Sequence, residues 1–65
     1  MKEYKILGWN KNKQLLLEAT FKAFDNYMAT KKFMYELSNN IETDYGDLYH
    51  LMDNGTGEVI NCLVF

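Results

Sequence analysis

Apolar and polar residues alternate near both ends of this chain and take helical spacing only in its middle. In "EYKILGW", Tyr4 and Ile6 fall on one side of an extended backbone, and Lys5, Leu7 and Trp9 on the other. The polar, asparagine-rich "NKNK" that follows predicts a chain reversal. "QLLLEATFKAF", residues 14–24, supports two readings. With period two, Leu15, Leu17, Ala19 and Phe21 share a face, opposite Leu16, Glu18, Thr20 and Lys22. With helical period, Leu17, Phe21, Phe24 and Met28 form a stripe that would run into the next segment as one long helix. "FDN" favours the strand. Asp25 is a good N-cap, and Phe24 before it can close a hydrophobic staple on Ala29.

A helix beginning there extends from about Asn26 to Asn39, with Ala29, Phe33 and Leu37 four apart on one face and Thr30 and Met34 beside them. "SNN" supplies the stop, since asparagine tolerates the left-handed conformation that closes helices. After a loop through "IETDYG", "DLYHLMD" reads as a third strand. "DNGTGE" is a glycine-bearing turn, and "EVINCLVF" returns as the fourth strand. The expected fold is α+β: a four-stranded antiparallel sheet built as hairpin, helix, hairpin, with one helix packed on one face. Residues 1–65 read as one domain.

One helix covers one face, yet both faces of this sheet are apolar. Tyr4, Ile6, Leu15, Leu17, Phe21, Ile60, Cys62 and Val64 are assigned to the core with Ala29, Phe33 and Leu37. Leu7, Trp9, Leu16, Leu48, Met52, Leu63 and Phe65 are then left on the uncovered side. A slip of one residue exchanges the two sets in either hairpin. Antiparallel sheets with a solvated face normally alternate with polar residues, so an apolar second face predicts a docking surface.

Composition narrows the function. At 65 residues the chain buries only about 60 % of its unfolded surface, a thin basis for stability. Cys62 is the sole cysteine and His50 the sole histidine, which excludes an intrachain disulfide and a Cys/His zinc site. Neither a cofactor nor a metal is expected. Charge interrupts the amino end too often for a secretory signal, and no apolar run approaches the ~20 residues of a membrane span. A cytoplasmic protein with no membrane association is expected. All seven lysines lie within residues 1–35 beside three acids, whereas residues 36–65 carry six acids and no base. Such asymmetry can steer a charged partner.

Candidate chemistry is sparse. Asp47 and Asp53 lie three residues either side of His50, which on a strand puts them across the sheet from it, so no acid–base pair is expected. Cys62, among apolar neighbours in "INCLV", reads as a core thiol. "DNGTGE" has too few oxygen ligands for calcium, and "GTG" precedes a strand and not a phosphate-binding helix. No enzymatic activity is expected. Lys2, Lys5, Lys11, Lys13 and Lys22 beside Tyr4 and Trp9 could hold phosphate and stack a base, although the chain is acidic overall and has no arginine. On the other half, Glu36, Glu42, Asp44 and Asp47 are interleaved with Tyr45 and Tyr49, a composition suited to a protein-binding edge.

The pattern "YKILGWN…LLEATF…FDNYMATKKFMYEL…DLYHLMDNGTGEVI" resembles very small hairpin–helix–hairpin proteins encoded by phages and prophages of low-GC bacteria. The likeness spans most of the chain and rests on architecture and on lysine- and asparagine-rich composition. It implies a protein that binds, and in some cases inhibits, a host or defence protein in the host cytoplasm. The expected partner is thus another protein or a second copy of the chain. Leu7, Trp9, Leu16, Leu63 and Phe65 are the candidate contacts, with Asp44 and Asp47 as steering charges. Nucleic acid, held by the first hairpin, is the alternative.

Overall fold

A computed structural model describes residues 1–39 and 47–64. Asp44 and Phe65 of the candidate contacts, and Glu42 and Tyr45, lie outside the described residues. The elements are β1 (Lys2–Trp9), β2 (Leu15–Ala23), α1 (Asn26–Asn39), β3 (Leu48–Asp53) and β4 (Val59–Val64). The strands form one antiparallel sheet in the order β2-β1-β3-β4, so each hairpin contributes one central and one edge strand. The α+β architecture expected from the sequence is the observed one, with β2 a strand.

The helix begins where its cap allows. The Asp25 carboxylate accepts the Met28 amide at 2.9 Å and its carbonyl accepts the Ala29 amide at 3.0 Å, satisfying donors that the first turn leaves free. The expected staple does not form. Phe24 is 74 % exposed while Ala29 is fully buried. Ala29, Phe33 and Leu37 meet Tyr4, Ile6, Ala23, Tyr49 and Leu51 in the core. Tyr4 is buried whole because its hydroxyl donates to Asn26 Oδ1 at 2.9 Å, which removes the penalty of an unpaired phenol. Each large core side chain contributes roughly 1.5–3 kcal/mol by leaving water.

Two bulges, one on each edge strand, break the strict alternation. In β2, Gly8 faces Leu17 but Trp9 faces Leu15, leaving Leu16 as the extra residue. Leu15, assigned to the core on alternation alone, is consequently 47 % exposed opposite Trp9. In β4, Leu51 faces Asn61 but Met52 faces Val59, leaving Ile60 extra. Ile60 and Leu63, which a regular strand would place on opposite sides, both pack against the core. Leu63 therefore leaves the open face to which it was assigned, and Cys62 and Val64 leave the core for that face.

The β3–β4 turn is organised by Asp53. Its carboxylate accepts the Gly55 and Thr56 amides at 2.8 and 3.2 Å and pairs with Lys2 Nζ at 2.9 Å. Its backbone bonds Glu58 and Gly57, and Gly57 adopts φ 78, a conformation natural to glycine. The Lys2 ammonium, then the turn amides, hold the Asp53 carboxyl below its ordinary pKa, and Asp53 in turn raises that of Lys2. The pair ties the turn to the start of β1.

Candidate protein-binding face

The face away from α1 is built in rows by the strand register. Thr20, Lys5, Met52 and Val59 form one row, and Glu18, Leu7, His50 and Cys62 the next. Leu15, Trp9, Leu48 and Val64 form the third. Polarity is graded across these rows. Charged and hydroxyl side chains stand at Glu18, Thr20 and Lys5, whereas Leu15, the distal half of β1, β3 and β4 present apolar groups around His50. Val64 is 76 % exposed, Cys62 is exposed, and Leu7, Trp9, Leu48 and Met52 are half-buried. Isolated apolar groups are normal on a surface, but a contiguous set marks an interaction site.

Trp9 anchors the far end of this face. Its ring meets His50 edge-on at 4.9 Å, and with Asn10, Lys13 and Leu48 the two residues line a shallow cleft of about 280 Å³. The Asp47 amide donates to the Trp9 carbonyl at 2.8 Å, which places half-buried Asp47 beside this end. Of the candidate contacts, the structure gathers Leu7 and Trp9 on the open face with Asp47 nearby. Leu16 is 40 % exposed in the β2 bulge, and Leu63 belongs to the helix side.

Sequence reasoning misses five members of this face: Leu15, which the β2 bulge turns outward, Val59, His50, Cys62 and Val64. Cys62 and Val64 were hidden by the choice of side for β4. The sequence reading considers His50 only for catalysis and metal binding, although its parity with Leu48 and Met52 places it on this face. Cys62 is the cross-strand neighbour of His50, yet among the described residues no hydrogen bond joins thiol to imidazole and no acid orients the ring. No group of three or more His, Cys, Asp or Glu among the described residues is placed to hold a metal ion.

A second apolar surface lies on the outer side of α1. Tyr27, Met28, Met34 and Tyr35 are 44–68 % exposed there, and Lys31 Nζ sits 5.4 Å from the Tyr27 ring centroid. Met34, read from the sequence as flanking the core stripe, faces out. No helix among the described residues is long and apolar enough to cross a membrane.

The lysines of the first hairpin are partly engaged within the chain. Lys2 pairs with Asp53, and Lys5 Nζ lies 3.5 Å from Glu18 Oε2. No family model, curated protein or solved structure matches this chain.

Proposed function

We propose that this chain is a small non-enzymatic protein-binding module whose open sheet face docks another protein. The observation that carries this reading is the graded open face, apolar across β3 and β4 and unprotected by the helix. Trp9 in its cleft is a suitable anchor, because a large aromatic at a hollow contributes disproportionately to an interface. Asp47 supplies charge at its margin. By the resemblance of the sequence to small phage proteins, the partner is a host or defence protein that this module inhibits in the cytoplasm. The nucleic-acid alternative is weakened by two observations: Lys2 and Lys5 are held by acids, and the Trp9 ring packs on His50.

The single thiol makes the test direct. Cys62 lies on the open face, so alkylation with a bulky maleimide should abolish capture of the partner from an extract of a low-GC bacterium. Val64→Lys, at an exposed position, should do the same with the fold intact by circular dichroism. Capture of the same partner by both modified forms would overturn the reading. Apolar docking should also persist at high salt, whereas phosphate binding would weaken steeply.

A further inference from the structure

Among the described residues the sheet has two open edges, and β2 is the longer: nine residues against six in β4. The orientation of its backbone groups follows from the ladder. The Glu3 carbonyl accepts the Asn54 amide at 3.0 Å, so Glu3, Lys5 and Leu7 address β3. Tyr4, Ile6 and Gly8 must then address β2, where their partners Phe21, Ala19 and Leu17 turn inward to meet them. Glu18, Thr20 and Lys22 are left with N–H and C=O groups pointing away from the sheet. Such a row is a template for another strand.

We infer that β2 pairs with β2 of a second copy, antiparallel about a two-fold axis at Thr20. This register matches the sequence to itself. Thr20 meets Thr20 of the second copy, and Glu18 meets Lys22 of the second copy, with the reciprocal pair alongside. All three are outward-addressing positions, so each pair exchanges both of its backbone bonds. Opposite charges stand directly across from one another, a favourable arrangement on a sheet. On the helix side the pairing sets Phe21 against Ala19 and Leu17 against Ala23, large against small. A groove of about 260 Å³ lies on that side between α1 and β2, lined by Leu17, Ala19, Phe21 and Leu37 and by the charged Lys32 and Glu36. Phe21 is held on its own core by stacking on Tyr4 and by Lys32, so it meets the second copy's Ala19 at the rim of this groove.

The β4 edge offers no comparable match. "VINCLV" carries no charge to select a register, and its ladder is interrupted by the bulge at Ile60. Pairing through β2 yields one eight-stranded sheet with both helices on one side. The two open faces then share the other side, and the charged β2 rows are consumed at its centre. The contact is self-complementary and closed, as a two-fold dimer requires. It is independent of the docking proposed for the open face, which rests on β3, β4 and the distal half of β1, since it rests on the backbone edge of β2.

Light scattering and amide hydrogen exchange on the intact chain test it. The expected result is a dimer, with the Glu18, Thr20 and Lys22 amides slowing in exchange as concentration rises. Thr20→Pro removes an outward N–H at a strand edge, where proline is tolerated, and should give a folded monomer. Glu18→Lys and Lys22→Glu each set like charges opposite, twice per dimer, and should weaken association roughly tenfold. The double exchange should restore it. A wild-type monomer with fast-exchanging Glu18, Thr20 and Lys22 amides at millimolar concentration overturns the inference. So does a dimer indifferent to Thr20→Pro and to both single charge reversals. Should the proline variant fail to fold, exchange in the wild type decides alone.

Discussion

Gly8 lies beneath the ring of Tyr49, and that contact constrains it more tightly than its place in a strand pattern suggests. A Cβ at this position would come within 2.8 Å of Tyr49 Cε1 and 3.3 Å of Leu17 Cβ. Tyr49 is itself buried and cannot swing away. Gly8→Ala should therefore cost about 1–3 kcal/mol in urea unfolding, in the range of an overpacked core. Asp53 gives the second prediction at this scale. Its folded pKa is depressed, so its contribution is present above the unfolded carboxylate value near 4 and is lost as pH falls through the folded value. Lys2, with a raised pKa, contributes below its unfolded value and is lost in strong alkali. Thermal melts should show wild-type stability falling in acid, and Asp53→Asn should flatten that fall. Neither role was legible in the sequence. A glycine in a strand marks a close approach without naming what approaches, and "DNGTGE" discloses a turn but not its tie to Lys2.

At the scale of elements, "FDN" separated β2 from α1 because capping is local: a carboxylate, a few bonds from the amides it caps, acts whatever lies around it. Asp25→Ala should cost about 1 kcal/mol by chemical denaturation. Phe24→Ser should stay within about 0.5 kcal/mol, because the ring is in water and the staple is absent. A loss comparable to that of Asp25→Ala would restore the staple. The bulges at Leu16 and Ile60 escaped the pattern because alternation records which residues are apolar, not where a strand takes up an extra one. Their consequence is large: they turn Leu15 outward and set Leu63 and Ile60 together against the core.

For the whole molecule, the decisive quantity is how much apolar surface a 14-residue helix can cover. It covers one face, and four half-buried side chains with Val64 and Cys62 define the other. Polar substitution there should separate binding from folding. Met52→Lys should abolish partner capture and lower the melting temperature less than Leu51→Ala, which empties the core. Equal thermal losses would make Met52 a core residue and remove it from the surface. That a second apolar face existed was readable from composition and periodicity. Its membership was only partly so: Leu7, Trp9, Leu48 and Met52 held their side, whereas Leu63 exchanged with Cys62 and Val64, and Leu15 came out of the core.

The sequence by itself determined three strands, the helix and its start, and favoured a strand over a helix for residues 14–24, because periodicity, caps and turn residues act over a few bonds. Tertiary structure alone decided the strand order, the sides taken around two bulges, and the pairing of Asp53 with Lys2. Those depend on which strand lies beside which, a relation between residues as far apart as 2 and 53. Alternation confines a side chain to one of two faces; only the neighbouring strands and the helix settle which face is inside.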